Sequence, residues 1–364
     1  MTQRNRFIDV AKGIAIILVI FNHYEWTKTS VFNTHLYHFV INMAVPVFML
    51  CTGYVTAVSF EAKNITLKDA YTKKSLLPKL SRYVMPFVWY YALETILTLV
   101  FVNNGYLQYI YNLDFAYNAG YSKTPTFIGT IVFFFAGGRG QHGTYYFPVI
   151  IQVAFMIPLI YKVVKKHKYG IYVCFLVNLA LEILKNFIGI LIVNPKIPHG
   201  AYRLLAFRYI FVIALGCYMY IYREKIGKWY KWAALSAVGA GYIYLINYTS
   251  YERVIFTYWA GTSMLAVLFV APLFLLCINK LKNTKCAFLE NIGKASYHIL
   301  FAQILYFNFF APLVWTAPKS IIPNQYVGFV VSLAVCLITG YGYYLLYNKL
   351  SLMYKKYKNK KVPS

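Results

Sequence analysis

The sequence predicts an all-α, polytopic membrane protein of about ten transmembrane helices, with both termini in the cytoplasm. Three observations carry this. The 364 residues are 60% hydrophobic and only 13% charged, too few charges to cover a soluble surface. Long apolar runs of the length needed to cross hydrocarbon alternate with short basic segments. Those segments are strongly biased to one side once alternate loops are assigned to opposite faces.

The apolar runs fall at residues 8–27, 38–60, 83–103, 145–161, 170–193, 204–222, 232–249, 255–279, 295–314 and 327–348. An eleventh, Phe127 to Ala136, is too short to span and ends at Gly137 and Gly138. It reads as a re-entrant or interfacial segment near 127–136. The assigned inner side holds 27 of the 36 Lys and Arg residues, which places both termini inside by the positive-inside rule. The net charge of +26 is therefore a topology signal toward an anionic inner leaflet, and no nucleic acid partner is expected.

Tyr109, Tyr111, Tyr117 and Tyr121 crowd one outer loop as an interfacial belt would. The first apolar run contains Lys12 and His23 and lacks a small-residue cleavage site, so it reads as a first helix and not as a cleaved signal. The six cysteines are scattered without C-x-x-C spacing, which supports neither disulfides nor zinc. With no internal repeat or linker, residues 1–364 read as a single membrane domain in the cytoplasmic (inner) membrane, among membrane lipids.

Ionisable groups are costly in hydrocarbon, so those inside the runs are candidates for chemistry. The first run has Asp9, Lys12, His23 and, at its end, Glu25. Lys12 and His23 are eleven residues apart, about three turns, and so share a face ~16 Å apart along the axis. The alternative is a structural Asp9–Lys12 pair with an interfacial histidine. His35 and His38 open the second run, and a histidine there could share a proton with His23 or orient it. No metal site is expected, since no i,i+4 pair or carboxylate completes one. Glu94 and His298 either line a polar cavity or satisfy a neighbouring helix, and Glu182 with Lys185 can neutralise each other.

Asp9-Val-Ala-Lys12-Gly13-Ile-Ala15 followed by His23 resembles the opening signature of the acyltransferase type 3 family, with Lys12 where that family usually has arginine. Further segments match in order. These are Pro46 to Tyr54 with Thr52 for serine, Lys79-Leu-Ser-Arg82 before Pro86, Gly143 to Gln152, and Asn291 to Tyr297. After the last, a family histidine is replaced by Gln303.

The resemblance implies an enzyme, an acyltransferase moving groups other than aminoacyl groups. The expected reaction carries an acetyl or similar acyl group from cytoplasmic acetyl-coenzyme A to a hydroxyl of an extracytoplasmic polysaccharide or lipid-linked glycan. It implies His23 as catalytic residue, either general base or transient acyl carrier. Lys12, Lys79 and Arg82 would meet the polyanionic coenzyme A. His38, Tyr145, Tyr146 and Arg208, with His142 and Arg203 nearby, would meet the acceptor sugar. A transporter or export component for the same glycans is the competing expectation, weakened by the missing inverted repeat. Oligomeric state is not legible.

Overall fold

The computed structural model describes residues 5–27, 30–103, 127–138, 143–191, 202–225, 229–249, 266–281, 285–311, 322 and 324–360. His142 and the outer-loop tyrosines Tyr109, Tyr111, Tyr117 and Tyr121 lie outside them. The described residues are α-helical: α1 (Arg6–His23), α2 (Tyr37–Ala62), α3 (Leu67–Ala70), α4 (Lys73–Asn103), α5 (Phe127–Ala136) and α6 (Tyr146–Lys166). Then follow α7 (Gly170–Leu191), α8 (Ile210–Ile221), α9 (Trp229–Tyr248), α10 (Val267–Lys280), α11 (Ala287–Leu305) and α12 (Gln325–Lys360). Two π-helical turns, Phe32–Leu36 and Tyr306–Phe310, and one 3-10 turn, Ala206–Tyr209, adjoin α2, α11 and α8.

Each predicted run coincides with a helix, and the short eleventh run is α5. The boundaries differ where charge ends a hydrophobic run without ending the helix. Thus α4 begins at Lys73, ten residues before the predicted start, and α12 continues through Lys360. At the other extreme α1 ends at His23, where Tyr24 turns extended (φ −70°, ψ 133°). The run predicted for 255–279 is helical from Val267, and residues 255–265 lie outside the described ones. Phe32–Lys63, Tyr146–Lys166 and Gln325–Tyr354 are each long and apolar enough to cross a membrane by length and composition.

The distribution of side chains is inverted relative to a water-soluble protein. Trp89, Phe135, Val330 and Ile338 are 60%, 70%, 61% and 72% exposed, whereas Asn42, Gln303 and Ser332 are wholly buried. Exposed large apolar side chains on nearly every helix are anomalous in water and suit a hydrocarbon solvent.

Without a hydrophobic drive between helices in lipid, close backbone approach supplies the packing. A Cβ on Gly293 of α11 would stand 1.7 Å from the Asp9 carbonyl oxygen, and one on Gly13 of α1 would stand 2.3 Å from that of Leu289. The α2 and α8 pair repeats the device. Gly53 meets the Ile213 carbonyl and Gly216 that of Leu50, at 2.1 and 2.2 Å from the added Cβ. Three of these four glycines belong to the motifs read above, so part of what those motifs encode is helix contact.

Candidate active site

The packed helices leave a cavity of about 770 Å³ between α1, α2, α4, α6 and α11, within the size range of ligand sites. On α1 its wall is the stripe Lys12, Ile16, Val19 and His23, the one-face spacing of a helix. On α2 it is His38, Ile41, Val45, Phe48 and Thr52. Because α2 returns antiparallel to α1, Thr52 lies toward the Lys12 end and His38 toward the His23 end. Tyr83 of α4, Ser296 and Tyr297 of α11, Tyr145, Tyr146, Arg203 and Arg208 complete it.

His23 is held from two sides. Its Nδ1 lies 2.9 Å from Oε1 of Gln303, a fully buried residue on α11. A carboxamide oxygen only accepts, so this contact makes Nδ1 the protonated nitrogen and leaves the lone pair on Nε2. Opposite, Gly143 has φ +96°, and a Cβ there would come within 3.1 Å of Cε1 of His23. The glycine thus lets the backbone lie against the imidazole. The π-helical turn at Tyr306–Phe310 follows directly after Gln303's helix, an irregularity of the kind that recurs at functional sites.

Arg208 is built in from behind. It sits on the 3-10 turn that Gln152 pins by donating to the Leu204 carbonyl (2.6 Å) and accepting from the Ala206 amide (3.1 Å). Its guanidinium stacks on the Tyr209 ring, 5.1 Å from the centroid, and the residue is 8% exposed. His38 donates its backbone N–H to the Tyr248 hydroxyl (3.1 Å), and its carbonyl accepts from Asn42 (2.7 Å).

Of the residues singled out in the sequence, Lys12, His23, His38, Tyr145, Tyr146 and Arg208 border this one cavity. Lys79 and Arg82 do not. Lys79 lies over the Phe60 ring, 5.1 Å from its centroid, and Arg82 is exposed, one residue before the cavity-lining Tyr83. Partial burial, then the like charges of Arg82 and Lys63, hold the Lys79 ammonium below its ordinary pKa. His35 is exposed and Glu94 accepts from the Tyr90 hydroxyl (2.8 Å), both apart from the cavity. His298 is buried among the rings of Tyr343, Tyr344 and Tyr347. Glu182 and Lys185 stand 3.7 Å apart, and Glu182 also accepts from Tyr202 (2.9 Å). Among the described residues no three His, Cys, Asp or Glu side chains converge as a metal site requires.

Sequence reading missed the role of Gln303. The only signal for it was its place where the resembled family has a histidine.

An apolar-surfaced helical bundle enclosing a cavity lined by both charged and apolar side chains defines a polytopic membrane protein. A family model described as an acyltransferase domain matches residues 5–341, and the chain belongs to this acyltransferase 3 family. It is a membrane acyltransferase, which takes an acyl donor and an acceptor and displaces the transport reading. No curated protein and no solved structure matches the chain significantly.

Replacing Gln303 by leucine is expected to lower the kcat of acyl transfer by ~10- to 100-fold, by analogy with the loss of a group that orients a metal-bound histidine. The pH profile should move with it, because the tautomer is no longer set. Gln303→His, which can still hydrogen-bond Nδ1, is expected to recover most of the rate. A leucine variant with unchanged kcat and pH profile removes Gln303 from the site.

Proposed function

We propose that this protein moves an acyl group, acetyl in the usual case, from cytoplasmic acyl-coenzyme A to a hydroxyl of an extracytoplasmic polysaccharide or lipid-linked glycan. It does so as one domain of ten spans in the cytoplasmic membrane, with both termini inside. The observation that carries this reading is the cavity shared by Lys12, His23 and Arg208. With the basic loops inside, Lys12 faces the donor pool, and His23 stands three helical turns farther along α1 toward the acceptor.

The thioester would enter past Lys79 and Arg82, whose charges, with that of Lys63, suit the coenzyme A phosphates at the threshold below Tyr83. An anion there also offsets the repulsion from Arg82 and Lys63 that, after partial burial, lowers the Lys79 pKa. Lys12 then meets the inner end of the chamber. At His23, Nε2 takes the proton of the acceptor hydroxyl as its oxygen attacks the thioester carbonyl. The C–S bond breaks, and the departing thiolate recovers that proton. In the alternative order, Nε2 itself attacks the thioester carbonyl, the C–S bond breaks to release the coenzyme A thiolate, and the resulting acyl-imidazolium passes the acyl group to the acceptor oxygen, whose proton the thiolate takes up. Tyr145, Tyr146 and His38 supply ring faces and hydrogen-bonding groups for a sugar.

The test is transfer of labelled acetyl from acetyl-coenzyme A to glycan by the purified full-length protein. Donor recognition is checked separately by thermal stabilisation with coenzyme A. Lys79→Gln and Arg82→Gln are each expected to weaken that stabilisation, corresponding to ~5- to 20-fold in affinity for one lost charge-assisted contact. Wild-type stabilisation in the double variant contradicts the proposed phosphate site.

A further inference from the structure

A second cavity, of about 840 Å³, opens among α2, α3 and α6 and shares no lining residue with the first. Its floor is apolar, made by Phe60, Ile65, Pro158 and Tyr161. Exposed lysines surround it: Lys68 of α3 and Lys162, Lys165 and Lys166 of α6. Two carboxylates stand beside them. Glu61 pairs with Lys165 at 2.9 Å, and Asp69, next to Lys68, accepts from the Thr66 amide and hydroxyl at 3.1 and 2.6 Å. With both counted, the four lining ammonium groups remain in excess.

The walls are preformed. Asn64 takes the left-handed conformation (φ 49°), and the Ile65 and Asn64 amides bond back to the Phe60 and Glu61 carbonyls at 3.0 and 3.3 Å, the paired bonds that close a helix end. This reversal delivers the chain to α3, and Tyr71, which follows it, donates its hydroxyl to the Phe155 carbonyl of α6 (2.7 Å). Along α6, Phe155, Leu159, Lys162 and Lys166 recur at i, i+4, i+7 and i+11, and all are exposed, so one helix face passes from apolar to cationic. Leu159 and Lys166 are separated by ~10 Å along the axis. A nucleotide or a free phosphate would match the lysines and leave the apolar stripe unused. A phospholipid matches both.

We propose that this cleft seats one phospholipid of net negative headgroup, its phosphate among Lys68, Lys162 and Lys166 and an acyl chain along Leu159 and Phe155. With the basic loops inside, it is a lipid of the inner leaflet. The inference goes beyond the acyl-transfer reading and does not depend on it.

The experiment uses native mass spectrometry and thermal shift on the full-length protein in detergent. It compares phosphatidylglycerol with phosphatidylcholine of the same chains, and with glycerol phosphate and coenzyme A. Phosphatidylglycerol is expected to bind ~10-fold or more tightly than phosphatidylcholine, with a preference that shrinks as salt rises. Lys162→Gln combined with Lys166→Gln should cut that preference several-fold. Lys285→Gln combined with Lys356→Gln removes the same charge from two other exposed lysines and should leave the preference unchanged. Leu159→Gln should weaken phosphatidylglycerol binding without altering the weak binding of glycerol phosphate.

Equal binding of the two lipids overturns the proposal, as does an equal loss in the two double variants, which marks bulk attraction to the basic face. Glycerol phosphate bound as tightly as phosphatidylglycerol overturns it as well. Coenzyme A that displaces phosphatidylglycerol, with the effect lost on removing Lys162 and Lys166, assigns the cleft to the nucleotide instead.

Discussion

His23→Ala is expected to reduce acyl transfer by ~10³-fold or more while leaving coenzyme A binding intact. Removing a general base alone costs ~10²- to 10⁴-fold, and removing a covalent carrier eliminates the route altogether. The variant should still fold, because His23 is the last residue of α1 and borders a cavity, so its loss leaves little packing unmade. The expected structural cost is the buried Gln303 amide left without its partner, ~1–3 kcal/mol. Thermal stability and its increase with coenzyme A therefore serve as the control for folding. Incubation with labelled acetyl-coenzyme A in the absence of acceptor separates the two roles. Label retained on the protein and lost in His23→Ala marks a carrier, and absence of label marks a base. Wild-type turnover in His23→Ala would sink the assignment.

The second large effect falls on stability. Gly293→Ala is expected to destabilise the protein by more than ~3 kcal/mol, beyond the usual range for one excess methyl group in a core. The added Cβ would lie 1.7 Å from the Asp9 carbonyl oxygen and 3.0 Å from the Gly13 amide nitrogen. Both obstacles are backbone, so no rotamer change relieves the clash, and α1 must move away from α11. That separation pulls His23 from Gln303, so activity should fall together with stability. Gly342→Ala on α12 is the matched control. Nothing lies within 4 Å of its Cβ, and replacing an unobstructed helical glycine should leave stability unchanged or raise it by up to ~1 kcal/mol. A Gly293→Ala melting temperature equal to that of Gly342→Ala would contradict the close crossing of α1 and α11.

These two residues show how far the sequence could be read. His23 was legible because an ionisable group in an apolar run is rare, and because its spacing from Lys12 survives any arrangement of the other helices. Gly13 and Gly293 were visible as letters of motifs, yet that each stands against the other's helix is a fact about pairing across 280 residues. Lys79 and Arg82 show the same limit from the other side. The resemblance groups them with Lys12, but their turn of α4 ends just short of the chamber, and of the α4 residues only Tyr83, one residue on, reaches its wall.

By itself, the sequence determined the helices and the class of solvent around them, since hydrocarbon forces every span to satisfy its own backbone and to announce itself as an apolar run. The basic loops likewise carried the expected orientation, through a bias that is local to each segment. The tertiary structure alone decided which polar side chains share a chamber. Helix rotation and pairing set that, and they depend on where two backbones can touch, on the packing of α1 against α11 that brings Gln303 to Nδ1, and on the amides that hold the Arg208 turn in place. None of these is written in any single run of residues.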